Sequence, residues 1–411
     1  MRQILALLMV FFVFWGCAPK KVVEIKLPAK TQKVAEKPKD EDSVSVVEEF
    51  VPVDIKESDN KIKEVTPLPS QKKDLKSSQK INLNEEPTNF VEPVSNNQAV
   101  VVQIDETKAK NKIAFVYPSR LVEKYAKSSI NTISGYLSYQ KAEYDLVVID
   151  CENESSDNIL NAFSQVRQEG ATKVIGLFTP SALPVLNRVV SSDLKVYLPL
   201  VEKKDSPESN NSLIFGSISY DDQLKKLSYY STGKNAMFYQ DTYLSSKLKR
   251  SFDNLVGVAD IQKEVKKDEI NFKGIVNDGR LNNASLFLNT DLVKSSLIMS
   301  QLVSFDIYPK MIFSTQVNYD QALFTLTQPK DRERLVVASS IDTVDAKLKD
   351  TISNAGGNIV YEWVDYSTLV GINYLYNGGN SSIVPTQVSN NQAIYTPRLY
   401  KATEIGFTEI K

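Results

Sequence analysis

The sequence predicts an α/β fold of two lobes with parallel sheets, preceded by a disordered charged tether. Three observations predict it. From residue 112 onward, short apolar runs alternate with amphipathic stretches of helical length. After a first complete set the pattern restarts near residue 213. Composition also changes abruptly near residue 111. Alternation of this kind places parallel strands under covering helices, and a restart with a return crossing gives two lobes and a cleft.

The chain opens with a short targeting pattern. Arg2 is followed by an uncharged apolar run over residues 4–15. As a helix, that run rises only about 18 Å, short of the roughly 30 Å hydrocarbon core of a bilayer. A cleaved export signal over 1–16 fits this length better than a span. Gly16-Cys17-Ala18-Pro19 follows directly, then Lys20 and Lys21. A small residue before a cysteine at this point resembles the lipobox of bacterial lipoproteins. That resemblance implies that Cys17 carries the lipid; the alternative is an ordinary signal with an incidental cysteine. Family members with Asp after the lipidated cysteine commonly stay at the inner membrane. Ala18 at that position implies an outer-membrane anchor facing the periplasm.

Residues 17–111 form the lipidated N-terminus and the expected tether. From residue 18 on they hold 16 Lys and 17 Asp or Glu, no Arg, no Gly and eight of the chain's 17 prolines, with Phe50 and Phe90 as the only aromatics. Such a segment buries too little apolar surface to offset its ordering entropy. Stretched out, it reaches about 300 Å. Two apolar patches interrupt it, at 44–55 and 99–104. The first reads as a sticky spot in a linker. The second reads equally as a linker spot or as an added edge strand.

The body, 112–411, is read element by element. Strands are expected at 112–117, 144–149, 173–178 and 196–201, separated by helices starting near Leu121, Ile159 and Ser181. The first helix shows its face at Leu121, Tyr125, Ile130, Ile133 and Leu137; the second follows a capping cluster, Ser155-Ser156-Asp157, and stops near Gly170. A linking strand at 213–217 opens the second series. Helices follow at 221–230, 244–255 and 291–305, and strands at 235–240, 258–265, 285–288, 310–313 and 335–338. Helices at 342–355 and 364–376 flank a strand at 358–361. Residues 378–392, rich in Gly, Asn and Ser, read as a loop, and 393–410 as extended. The first lobe then takes about 112–216 and 340–378, the second about 219–335 and 393–411.

Composition narrows the chemistry. The chain has 411 residues, a formal net charge of −1, two cysteines and no histidine. Near-neutral charge gives no field that suggests a nucleic-acid partner. Without imidazole, Ser-His-Asp and Cys-His catalysis are excluded, as are most zinc sites. No spacing singles out a carboxylate pair, and no metal or cofactor motif is present. Ser246 and Lys249 have Ser-x-x-Lys spacing, but no Lys-Thr-Gly accompanies them. They read as a solvated helix face, and the chain reads as a non-enzyme without a cofactor. Cys151, at the end of an apolar run, reads as a packed, inert thiol.

The order of elements resembles the type I periplasmic-binding-protein-like fold, including branched-chain amino-acid-binding proteins. The resemblance is carried by the opening strand at 113–117 and by Val166-Arg-Gln-Glu-Gly-Ala-Thr-Lys-Val-Ile-Gly176. It continues through the turn Thr179-Pro180-Ser181, the first crossing strand Ile214-Phe-Gly-Ser-Ile-Ser-Tyr-Asp-Asp222, and Met237-Phe-Tyr-Gln-Asp-Thr-Tyr243. It implies a ligand site drawing on Thr179 and Ser181, whose hydroxyls would hold a carboxylate, and on Asp241 and Tyr243 of the second lobe. The alternative for Thr179 and Ser181 is plain helix capping. Two features depart from the family pattern. Glu202-Lys203-Lys204-Asp205 stands where small residues are usual after the fourth strand, and Leu244 replaces a glycine in the second lobe. A long tether and a crowded cleft resemble the lipoprotein activators of penicillin-binding proteins. This implies a protein partner such as a peptidoglycan synthase, and membrane contact through the lipid anchor. The alternative is a solute-binding receptor for an amino acid or similar small ligand.

Overall fold

The computed structural model describes residues 80–81, 111–206, 208 and 210–410. The export signal, Cys17, the apolar patches at 44–55 and 99–104, and the tether apart from Lys80–Ile81 lie outside the described residues.

The first lobe is built on strands β2 (Asn111–Tyr117), β3 (Tyr144–Asp150), β4 (Lys173–Gly176), β5 (Lys195–Leu198) and β6 (Leu213–Phe215). A two-residue strand β1 (Lys80–Ile81) pairs antiparallel with β3, and a hairpin of β12 (Gln387–Ser389) and β13 (Gln392–Ile394) completes the other edge. The sheet order is β1-β3-β2-β4-β5-β6-β13-β12. Neighbouring residues of β2 serve opposite cores, as a strand buried on both faces requires. Ile113 and Phe115 join one apolar cluster, Ala114 and Val116 another.

Three helices cover one face of this sheet: α1 (Ser119–Tyr139), α9 (Ala346–Asn354) and α10 (Trp363–Asn377). Helix α1 turns Val122, Tyr125, Ala126, Ser129, Ile133, Tyr136 and Leu137 inward, a stripe of three- and four-residue spacing. Helix α10 is buried on most sides, from Val364 through Asn373. The opposite face carries α2 (Ser156–Gln168), whose N-cap Ser155 accepts from Asn158 N at 3.4 Å, and α3 (Leu183–Val189).

The second lobe contains α4 (Tyr220–Ser228), β7 (Asn235–Gln240), α5 (Tyr243–Leu255), β8 (Ile261–Val265), α6 (Lys273–Val276) and β9 (Ser285–Asn289). It continues with α7 (Leu292–Ser304), β10 (Met311–Ser314), α8 (Leu323–Leu326), β11 (Leu335–Ser339), β14 (Arg398–Ala402) and β15 (Phe407–Ile410). Its sheet order is β15-β14-β11-β10-β9-β7-β8; β7 to β11 run parallel, and β14 and β15 are antiparallel additions. The chain crosses between lobes after β6, after β11 and after β13. One apolar cluster includes Phe115 and Tyr197 of the first lobe together with Phe287 and Phe313 of the second.

Two expected elements differ. Residues 358–361 form a turn rather than a strand. Asn358 Oδ1 accepts from Val360 N and Tyr361 N at 3.3 and 3.2 Å, and Asp365 Oδ2 accepts from Asn358 N at 2.8 Å. These side-chain bonds give the backbone an alternative to sheet pairing. The expected loop at 378–392 contains β12 and the start of β13. Asn390 and Asn391 take positive φ of 50° and 61°. That geometry suits a two-residue hairpin turn, and asparagine tolerates it. Residue 393 therefore belongs to the first sheet, and the last crossing lies between Ile394 and Arg398.

Candidate functional site

Thr179 and Ser181 sit just past the C-terminal end of β4, the edge where open parallel sheets place ligands. The position is already filled by a carboxylate of the chain itself. Glu154, directly before the N-cap of α2, accepts from Thr179 N and from Thr179 Oγ1, each at 2.6 Å. Ser181 Oγ donates to the same carboxylate, and the two hydroxyls lie 2.7 Å apart. Charge-assisted bonds of this kind are the strong ones. Thr179 is 4% exposed and also caps the short turn that starts at Pro180. The two residues thus form a carboxylate cradle, and Thr179 is a cap at the same time.

Beside the cradle, the charged stretch after β5 reaches across to the second lobe. Glu202, 6% exposed, pairs with Lys204 at 3.0 Å and with Lys247 of α5 at 3.5 Å. Lys204 pairs with Asp221 of α4 at 2.7 Å. Burial pushes the Glu202 carboxyl above its ordinary range, and Lys204 and Lys247 only partly offset it. Lys203 is tied to the hairpin: its N donates to Gln392 Oε1 and its Nζ to Asn390 O, both at 2.7 Å.

A small cavity lies between the lobes. It measures about 90 Å³ and is lined by Tyr125, Glu362 and Trp363 on one side and by Tyr220, Leu244 and Tyr319 on the other, among others. Small-molecule pockets commonly enclose about 300–1,000 Å³. Burial, with Asp365 and Asp320 nearby, pushes the Glu362 carboxyl up to about 7. Tyr361 packs on Tyr319 with ring centroids 5.6 Å apart, closing the same seam.

A larger pocket, of about 300 Å³, lies on the second lobe. It opens between the N-terminal turns of α5 and α7, at the ends of β7 and β9, and shares Leu244 and Val317 with the smaller cavity. Asp241 and Tyr243 flank this pocket without lining it. Asp241 is exposed and Tyr243 is 42% exposed, while Thr242 and Leu244 between and beside them form the wall. Of the four expected ligand residues, the structure joins Thr179 and Ser181 through Glu154 and leaves Asp241 and Tyr243 at the rim of α5. Glu154, Lys247 and Asn289 were not singled out from sequence. Glu154 stands in a run of acidic and polar residues, Cys151-Glu-Asn-Glu-Ser155, whose register gives no sign of which carboxylate turns inward. Among the described residues, no group of three or more His, Cys, Asp or Glu side chains could hold a metal ion. No described helix is long and apolar enough to cross a membrane.

No protein-family model and no curated protein sequence matches this chain. Solved structures do match it in fold. LivJ from Streptococcus pneumoniae, a branched-chain amino acid transporter substrate binding protein in complex with isoleucine, superposes with a TM-score of 0.54 at 11% identity, covering 73% of this chain and 100% of that one. The fold is that of the type I periplasmic binding proteins. A solute binding protein of an ABC transporter from R. palustris, in complex with 4-hydroxybenzoate, gives 0.54 at 9% identity over 74% of this chain and 96% of that one. Haemophilus influenzae LpoA gives 0.52 at 11% identity over 75% of this chain, which spans only 59% of the LpoA chain. The fold therefore accommodates solute binding proteins and LpoA alike.

Proposed function

We propose that this chain is a non-catalytic lipoprotein, anchored through Cys17 in the outer membrane, that binds a protein partner in the periplasm and regulates peptidoglycan synthesis. The observation that carries the reading is Glu154 in the Thr179–Ser181 cradle. The resemblance would give that cradle to a ligand carboxylate, and here the internal carboxylate of Glu154 has taken its hydrogen bonds. The Glu202–Lys247 and Lys204–Asp221 pairs support the same reading, because they tie the two lobes together. The tether composition supports a partner at a distance from the membrane. The resemblance to lipoprotein activators of penicillin-binding proteins supplies the partner class, a peptidoglycan synthase.

The test is made in cells. Photo-crosslinkers placed on the outer faces of the lobes should capture a peptidoglycan synthase. Deleting about half of residues 18–79 should abolish that crosslink while the protein remains folded and abundant, because reach is lost while β1 and the body are kept. Full activity with the shortened tether, or crosslinks to an inner-membrane transporter instead, would contradict the proposal. The second outcome would favour a solute receptor.

A further inference from the structure

We infer that the second-lobe pocket is a binding site for a peptide segment, taking one apolar side chain into its cavity and the adjoining neutral peptide amide onto the side chain of Asn289. This rests on the protein-partner reading above and specifies what such a partner presents.

Asn289 is the last residue of β9, 2% exposed, and lines the pocket. Neither its Nδ2 nor its Oδ1 has a hydrogen-bond partner. A buried carboxamide left unpaired on both atoms carries a desolvation penalty, and native proteins leave few such groups. Most of the other polar groups of the wall are committed, while Lys267 stands exposed at its rim. Gln240 Nε2 donates to Asp291 Oδ2 at 2.8 Å, and its Oε1 accepts from Asp291 N at 2.6 Å. Asp291 Oδ1 caps α7 by accepting from Lys294 N at 2.8 Å, and Thr242 Oγ1 caps α5 by accepting from Ser245 N at 3.3 Å. Ser245 Oγ accepts from Gln240 N at 2.7 Å and donates to the carbonyl of Asn289. Lys294 Nζ donates to Glu269 O at 3.1 Å and lies 5.5 Å from the centre of the Phe272 ring.

Both helix N-termini thus carry a side-chain cap, and the cap of α7 is itself a carboxylate, Asp291, which disfavours a second one beside it. Just beneath the pocket surface Asn289 holds one donor and one acceptor side by side, the complement of a peptide C=O and N–H. Around them stand Leu244, Leu248, Val293 and Val317, an apolar wall. The cavity of about 300 Å³ suits one side chain with its backbone. The adjoining smaller cavity continues the groove past Leu244 and Val317 to Gln316. Gln316 Nε2 is also buried without a partner, although its Oε1 accepts from Ser340 N at 2.9 Å. A second carboxamide donor further along one groove fits an extended chain with repeated carbonyls.

The test uses N-acetyl-L-leucinamide as the probe, followed by saturation-transfer and chemical-shift NMR on the full chain, with free L-leucine and N-acetylglycinamide alongside. N-acetyl-L-leucinamide should bind, and the glycine analogue should bind more weakly. Asn289→Leu keeps the volume and removes the amide; it should weaken binding roughly 5- to 30-fold. Val293→Trp fills the pocket from the half-buried first turn of α7 and should abolish binding without disturbing the core. No binding of the blocked leucine at tens of millimolar would overturn the assignment, as would binding unaffected by both variants. Either result leaves the role of Glu154 standing. Tight binding of free L-leucine that depends on Thr179 and not on Asn289 would overturn both this site and the protein-partner reading.

Discussion

Glu154 is the residue on which the account turns, because one carboxylate serves the backbone N–H and both hydroxyls of the 179–181 turn. Glu154→Ala leaves Thr179 N and two hydroxyls without their acceptor in a half-buried position. Hydrogen bonds to a charged acceptor contribute about 1.5–3 kcal/mol, less where water can enter. The variant should lose about 1–3 kcal/mol of stability in urea unfolding, and Glu154→Gln less. An unchanged midpoint would mean that the bonds are replaced by solvent without loss. Glu362 gives a second prediction at this scale, with a definite sign. Burial, Asp365 and Asp320 raise its carboxyl from the ordinary 4.5 to about 7, and burial raises Asp365 to about 6 against the opposing bond from Asn358 N. A carboxyl raised in the folded state holds its proton while the unfolded chain has already lost it. The stability it contributes is full below the unfolded value and is lost as pH rises through the folded one. The body should therefore lose stability between about pH 4.5 and 7.5. Glu362→Gln should flatten that part of the profile and raise the melting temperature at pH 8. A steeper profile in the variant would contradict the assignment.

At the scale of elements, α10 shows how the first lobe is fixed. Its Gly371 faces the ring of Tyr197 on β5, and a methyl group there would lie well inside van der Waals contact of ring carbons. Tyr197 is fully buried, so the ring has nowhere to move. Gly371→Ala should cost about 1–3 kcal/mol by overpacking, despite alanine's better helix propensity, and calorimetry of the body would show it. A stabilised variant would mean that α10 shifts freely on the sheet. The elements themselves were largely legible in the sequence, because apolar runs such as 113–116 and stripes such as that of α1 bury as their periods require. The misread elements were those decided by short-range side-chain bonds. Asn358 and Asp365 divert 358–361 into a turn, and the Asn390–Asn391 pair closes a hairpin inside a stretch that reads as loop by composition. The site was legible by half. Thr179 and Ser181 stand out as a hydroxyl turn after a strand. Their partner Glu154 lies 25 residues earlier, on another βα connection, and no local spacing links them. Asn289 gave no signal either, since an asparagine ending an apolar strand looks like a turn residue.

At the scale of the whole molecule, the two lobes share an apolar cluster, three crossings and two charged contacts around Glu202 and Lys204. The body is joined across its cleft by its own charged side chains. The fold is that of the solute binding proteins; Thr179 and Ser181 hold Glu154, and the second-lobe pocket is open at its face. The most direct measurement is a thermal-shift screen of the isolated body, residues 111–411, with the twenty free amino acids and small organic acids. A ligand that fitted the cleft would stabilise it by RT ln(1 + [L]/Kd), about 2.7 kcal/mol at a hundredfold excess over Kd, or several degrees. The account predicts no shift for the wild type with any of them. A shift of several degrees with one amino acid, lost in Thr179→Val and Ser181→Ala, would show that Glu154 yields its place to a ligand and would contradict the account.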